Sequence, residues 1–329
     1  MATTNSLDTS KFTNFDGAAG HEGVLSEQSG EMIIKPCTDA EVAFYQDTLA
    51  NHPEFSELMP SFMGVLQLGA AAQVQDATAA SDLLDAAHSQ KEERLHGKAL
   101  ATETAIVLEN LEHGFSKPNV LDIKLGARLY ADGTAPEKAA RLDKVASETT
   151  SGSLNFRIAG MKVWNGKAYD EYDKFYGRNF SAENVKEGFA TFFSGLSTGL
   201  KTDEAIQLLE TIEAEISKVR HVLEKRESRM YSASVLIVYE GDSTALDTLM
   251  GNVPKTPRLQ EKMPTLGEVK RSEEEEEEEE VPPVVFMVKM IDFAHATWTP
   301  GQGKDENLIT GLMNVEKQMD GLIQQMEQS

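Results

Sequence analysis

The chain has a single cysteine, Cys37, so no internal disulfide can form and every cysteine-rich zinc pattern is excluded. Cys37 itself reads as a small core residue in a reducing compartment. The seven histidines include no His-x-x-x-His pair, and no Ser, His and acid set stands out as a hydrolytic triad. No apolar run approaches the roughly 20 residues that cross a bilayer, and Met1 to Ser6 lacks the basic and apolar segments of a secretion signal. The expectation is a protein of the cytoplasm and nucleus with no transmembrane segment. Positive charge is scarce: Lys and Arg number 31 against 54 Asp and Glu, for a net charge of −23. A balance so acidic repels nucleic acid and anionic membranes, so no direct nucleic-acid binding is expected. There is no H-R-D catalytic loop, which sets the chain apart from ordinary protein kinases. The stretch Thr299 to Lys304 fails as a Walker A loop, because Trp298 stands where its first glycine belongs and Asp305 where it needs Ser or Thr.

What is present is enough for a large core: 329 residues, 40% hydrophobic and 26% charged. Residues 1 to about 15 read as a loose polar tail. A hairpin follows, with Gly20 to Gly30 as its loop and Glu31–Lys35 as its second strand. Thr38 and Glu41 form a capping box for a helix through Leu49, and Thr134 and Glu137 form another for a helix carrying Lys138, Arg141 and Lys144 on one stripe. The weakly periodic segment 70–100 reads as a loop or insertion. Asn155–Val163 and Ser232–Tyr239 read as strands, and Asp203–Met230 as one long amphipathic helix. Residues 242–283, with the eight glutamates Glu273 to Glu280, read as a disordered acidic loop inside a domain. Val284–Asp292 returns as a fully buried strand, and Glu306–Met326 closes the chain as a helix.

The chemistry concentrates in Pro118–Gly126. Alternate residues of a strand share a face, so Asp122 and Lys124 look into one space. Two readings follow: a buried ion pair, or a phosphoryl-transfer centre. Between Lys117 and Lys144 six basic residues outnumber four acids, against the trend of the whole chain. At the end of the apolar run before it, Asp292 is either a helix cap or a Mg²⁺ ligand.

The pattern Pro118-x-x-x-Asp122-x-Lys124-x-Gly126 resembles the signature of the inositol polyphosphate kinase family. With Ile291–His295 it is most similar to the fungal inositol polyphosphate multikinase branch. The resemblance also takes in, in order, Ala19–Gly23, Ile33–Pro36, Leu108–Leu111, Gly114–Lys117, Ser147–Leu154, Phe156–Ile158, Tyr176–Arg178 and Val238–Gly241. Asn155 departs from a usual glycine, and Ala233, Val235 and Ile237 depart from the usual residues around Ser234.

This resemblance implies an α+β, two-lobed kinase-like fold, with an ATP cleft between an N-lobe antiparallel sheet (16–111) and a larger C-lobe (112–329). It implies ATP and Mg²⁺ as cofactors and inositol phosphates as partners. Lys35 would meet the nucleotide phosphates, and Glu109 to Leu111 would be the hinge whose backbone binds adenine. Asp122 would contact the nucleotide and Lys124 the transferred phosphate and the substrate. Asp292 and Ser234 would lie at the metal. Arg128, the helix 134–148 with Lys138, Arg141 and Lys144, and His295 would hold the inositol phosphate. The implied activity is phosphorylation of inositol tris- and tetrakisphosphate at the 6- and 3-hydroxyls towards pentakisphosphate. Pro136–Arg141 is also reminiscent of inositol hexakisphosphate kinases, and the glutamate run admits an acidic nuclear scaffold that recruits regulatory proteins.

Overall fold

A computed structural model describes residues 12–15, 23–67, 102, 104–252 and 284–328. The expected insertion at 70–100 and the run Glu273 to Glu280 lie outside the described residues.

The strands are β1 Phe12–Asn14, β2 Leu25–Glu27, β3 Met32–Pro36, β4 Phe62–Gln67, β5 Thr104–Glu109, β6 Pro118–Leu125, β7 Phe156–Trp164, β8 Tyr169–Tyr172, β9 Ser228–Met230, β10 Ser234–Glu240, β11 Phe286–Ile291 and β12 Ala296–Trp298. They form an N-lobe sheet in the order β1-β2-β3-β5-β4 and a C-lobe sheet in the order β11-β10-β6-β7-β8, each with antiparallel neighbours. The short pair β12-β9 stands apart. The fold is α+β and two-lobed, as the motifs imply.

The C-lobe sheet separates core from site by simple alternation. Leu121, Ile123 and Leu125 on β6, with Phe156 and Ile158 on β7 and Val235 and Ile237 on β10, are fully buried in the main core. That core is closed by the antiparallel pair of helices Thr202–Glu224 and Glu306–Glu327, which place Leu209, Ile212, Ile216, Val219, Leu312, Val315 and Met319 inside. The opposite face of the sheet carries Asp122 and Lys124. An aromatic cluster joins the lobes: Phe44 of the helix Asp39–Asn51 stacks on Phe293 at 4.8 Å and on Trp298 at 5.5 Å. Such contacts contribute about 0.5–1.5 kcal/mol each beyond area burial, and they seat the chain on both sides of residue 292.

Several local expectations are corrected. Phe12–Asn14, expected in a loose tail, pairs with β2, because the N-lobe sheet needs a covered edge. The helix expected over 203–230 stops at Glu224, and Ser228–Met230 turns back to pair with β12. Within 242–283, Ser243–Asn252 is helical, its first turn held by Asp242, which accepts from the Thr244 and Ala245 amides. β11 is an edge strand with only Val288 and Met290 buried, so the expected fully buried strand is half-buried instead. The basic helix spans Pro136–Ser147 with Ala135 as its cap and no side-chain cap bond, so the Thr134–Glu137 box does not form. Pro136 at the first position supplies the preset φ that starts the helix instead. The glycine loop at 299–304 folds around a carboxylate: Gly301 and Gly303 amides donate to Glu227.

Candidate active site

Lys35 closes β3 and Glu41 opens the helix Asp39–Asn51, one turn from the strand end. Thr38 caps that helix, accepting from the Glu41 amide at 3.2 Å. The Glu41 carboxylate does not return to Thr38 as a capping box requires. It accepts from Lys35 Nζ at 2.9 Å and from the Phe293 amide at 3.3 Å. Glu41 is 1% exposed, and a buried carboxylate is retained only where cations and donors compensate it. Reading it as a cap hid its role, since the same Thr-x-x-Glu spacing serves either purpose.

Asp292 follows β11 with φ of 67°, a left-handed conformation that asparagine and aspartate adopt most readily among residues with a side chain. Its carboxylate accepts from Lys35 Nζ at 2.9 Å and lies 3.4 Å from Lys124 Nζ. Lys124 also donates to the Ser232 carbonyl at 2.8 Å. One aspartate therefore joins lysines from the two lobes. Burial works to lower the Lys35 pKa, but Asp292 and Glu41 outweigh it and hold the ammonium well above its ordinary range. Lys35 is a permanent cation here, as a phosphate-binding lysine must be.

Register completes the floor of the site. Lys124 lies opposite Ser234, and Ser234 opposite Ile291. The Ser234 hydroxyl is buried and makes no hydrogen bond among the described residues. Asp122, 3% exposed, is opposite Leu236 in the next row. Above them opens a cleft lined by Ile33, Lys35, Leu108, Glu109, Asn110, Leu111, Val120, Asp122, Leu236, Ile291 and Asp292, among others. Its apolar walls come from both lobes, which suits a flat heterocycle, and Lys35 and Asp292 meet at one end.

At the other end, Glu109 turns its carboxylate onto Ser61, accepting from that residue's amide at 3.0 Å and hydroxyl at 2.9 Å. Its side chain is thus spent on the N-lobe, and the Glu109 and Asn110 amides are taken as well, donating to the Ser61 carbonyl at 3.0 Å and the Glu31 carbonyl at 2.8 Å. Asn110 fixes that backbone by donating to the Gly30 carbonyl at 2.7 Å.

The substrate-side residues divide. His295 is pushed down in pKa by burial and then by Lys138, with Glu41 working to raise it and Lys124 to lower it further. Lys138 and Arg141 are exposed, and so is Lys144, which reaches Glu148 at 3.8 Å. Arg128, expected among the substrate cations, is engaged by Asp132 and lies over the rings of Tyr130 and Tyr231 at 5.2 and 4.9 Å. Its use by a substrate requires the Asp132 pair to open.

Sequence reasoning also missed Asn307. Its Oδ1 accepts from the Ala127 and Arg128 amides at 2.8 and 3.0 Å, and its Nδ2 donates to the Arg128 carbonyl at 3.0 Å. This side chain fixes the turn that follows Lys124. An asparagine in the first turn of a helix, two residues after the capping Asp305, announces no partner 180 residues away along the chain.

The residues fit a nucleotide with a divalent cation. Asp292 and Ser234 offer hard oxygen donors, and no group of three or more His, Cys, Asp or Glu residues capable of holding a metal occurs among the described residues. A single-carboxylate site suits Mg²⁺, which keeps waters and takes phosphate oxygens as its other ligands.

Two lobes about a cleft, a lysine–glutamate pair, and an aspartate shared by two lysines define a kinase-like phosphotransferase. The family model described as inositol polyphosphate kinase matches residues 105–320. The chain is 31% identical to the inositol polyphosphate multikinase of Saccharomyces cerevisiae, over 90% of this chain and 94% of that protein. It is 33% identical to rat inositol hexakisphosphate kinase 1, over 64% of this chain and 49% of that protein. Among solved structures, a Saccharomyces cerevisiae inositol phosphate multikinase in complex with ADP and Mn²⁺ superposes with a TM-score of 0.64 at 28% identity, covering 89% of this chain and all of that one. The chain belongs to the inositol polyphosphate kinase family and is an enzyme that phosphorylates inositol phosphates.

One test concerns the residue hidden by the capping pattern. Glu41→Gln keeps the shape but removes the charge that holds Lys35. It is expected to raise the KM for ATP and lower kcat by about tenfold each, because a charge-assisted bond contributes about 1.5–3 kcal/mol. Steady-state kinetics with the nucleotide varied checks this, and an unchanged KM for ATP would remove Glu41 from the site.

Proposed function

We propose that the protein transfers the γ-phosphoryl group of ATP, with Mg²⁺, to inositol tris- and tetrakisphosphate at the 6- and 3-hydroxyls, towards pentakisphosphate. The observation that carries this is the joining of Lys35, Lys124 and Asp292 at the polar end of the cleft, on the sheet face that also carries Asp122. Phosphoryl transfer demands cations on the transferred group and fixed positions for both oxygens. Lys35 would meet the nucleotide phosphates and Lys124 the group in transit. When bound, Mg²⁺ would draw charge from the phosphates at Asp292 and Ser234. The Glu109–Leu111 backbone would take adenine. His295, neutral at neutral pH because burial and two lysines oppose its protonation, would orient the ring as a hydrogen-bonding group rather than a cation.

Lys138, Arg141 and Lys144 follow one helix stripe and offer charge to ring phosphates against the global excess of −23. Lys138→Ala is expected to raise the KM for inositol 1,4,5-trisphosphate by about tenfold with little change for ATP. The deciding experiment incubates purified protein with ATP, Mg²⁺ and inositol 1,4,5-trisphosphate and separates products by charge. Tetrakis- and pentakisphosphate are expected. Pyrophosphate formation from hexakisphosphate, with none of these products, would move the protein to the hexakisphosphate kinase branch. The broader span shared with the yeast multikinase supports the first outcome.

A nuclear regulatory role through Glu273 to Glu280 is a separate part of the reading, resting on the charge run alone. Deleting the run should leave kinase activity intact and abolish capture of basic nuclear proteins; unchanged capture would end this part.

A further inference from the structure

Arg157 is a buried cation that none of the roles above uses. It is 8% exposed and sits on β7 between Phe156 and Ile158, both of which point into the helical core. Alternation turns Arg157 to the other face, where register places it opposite Lys124. Ser234, Lys124 and Arg157 therefore form one row across β10, β6 and β7. In the next row Asp122 lies opposite Gly160, a residue with no side chain, across a register shift in the pairing. The Arg157 Nη1 donates to Ser151 Oγ at 2.8 Å. Ser151 belongs to the helical turn Thr150–Leu154, which continues the chain directly from the basic helix Pro136–Ser147.

Burial and the neighbouring Arg178 push the Arg157 pKa down, to about 10, while Asp122 works to raise it. The side chain remains a cation at neutral pH. Among the acidic side chains, Asp122 is the one whose charge it feels. Burying Arg157 beside one aspartate, with the half-buried Arg178 nearby, is costly for stability alone, where an apolar residue would serve as well. The arrangement makes sense if the geometry about Asp122 matters.

We propose that Arg157 is a positioning residue of the phosphoryl-transfer site, facing Asp122 on the catalytic strand while tying Ser151, in the helical turn that follows the basic helix, to the same sheet. It sets the spacing between the groups that handle the transferred phosphoryl and the helix that holds the ring phosphates. The inference rests on the role proposed above for Asp122 and the basic helix.

The test compares Arg157→Gln, Arg157→Lys and Ser151→Ala with Asp122→Asn as reference, in the full chain, measuring kcat and both KM values alongside Tm. Arg157→Gln is expected to lower kcat by about 100-fold with the KM for ATP changed less than about threefold, because misplacement of a reacting group by about 1 Å has that effect and the hinge is untouched. Arg157→Lys keeps the charge and should recover about tenfold of the loss. Ser151→Ala should raise the KM for inositol 1,4,5-trisphosphate alone. Wild-type kcat in Arg157→Gln with an inactive Asp122→Asn overturns the inference and leaves the site standing. An active Asp122→Asn removes both. If Arg157→Gln does not fold, Arg157→Lys and Ser151→Ala decide: activity and both KM values unchanged in each would reduce Arg157 to a structural ion.

Discussion

Asp292→Asn is expected to lower kcat by about 10³-fold or more while the protein stays folded. Asparagine tolerates the left-handed backbone found at φ of 67°, and its amide oxygen can still accept a hydrogen bond, so the substitution isolates the charge. What is lost is the anion that Lys35 and Lys124 share and the donor a divalent cation would use. Lys35 retains Glu41 at 2.9 Å, so the lysine pair is not left wholly uncompensated and the lobes stay joined through the Phe44, Phe293 and Trp298 stack. Alanine is the poorer probe. It adds the backbone cost of about 1–2 kcal/mol for a left-handed residue and confuses stability with chemistry. Single-turnover transfer from labelled ATP, with Tm as control, measures the effect. Activity within tenfold of wild type would show that the metal and phosphates are held elsewhere.

Gly126→Ala should be strongly destabilising although it adds a single methyl group. Gly126 closes the Asp-x-Lys-x-Gly pattern with φ of 94°, and a Cβ there would run into the Asn307 amide and approach the Arg128 carbonyl to 3.2 Å. The left-handed backbone costs about 1–2 kcal/mol and the displaced Asn307 bonds about 1 kcal/mol each, which together are expected to remove about 3–5 kcal/mol of stability. For a chain of 329 residues this corresponds to a fall in Tm of about 4–7 °C, read by thermal unfolding. Asn307→Ala separates the two causes, since it removes the bonds but leaves the backbone free to hold its angle. If Gly126→Ala melts like wild type, Asn307 moves aside and the glycine is not needed for this contact.

The local chemistry was legible because short patterns encode it directly. In β6 the alternation of Leu121, Ile123 and Leu125 with Asp122 and Lys124 dictates which side chains share a face, and burial follows it. Ends of elements were less legible. The helix periodicity from Asp203 carries on past Glu224 in sequence, yet Arg226 to Met230 turns away because β12 offers a strand to pair with. Nothing within those residues announces a partner that lies over sixty positions later.

By itself the sequence determined the family, from motifs in order along the chain, and the Asp122–Lys124 face and the basic stripe at 138, 141 and 144, which rest on spacing within one element. Only the tertiary structure decided that Glu41 serves Lys35 rather than its helix cap, that Asn307 braces the turn after Lys124, that Glu109 spends its carboxylate on Ser61, and that Arg157 lies opposite Lys124. The reason is physical: a carboxylate, amide or guanidinium bonds to whatever partner the packed core brings within about 3 Å, and separation along the chain does not predict that partner.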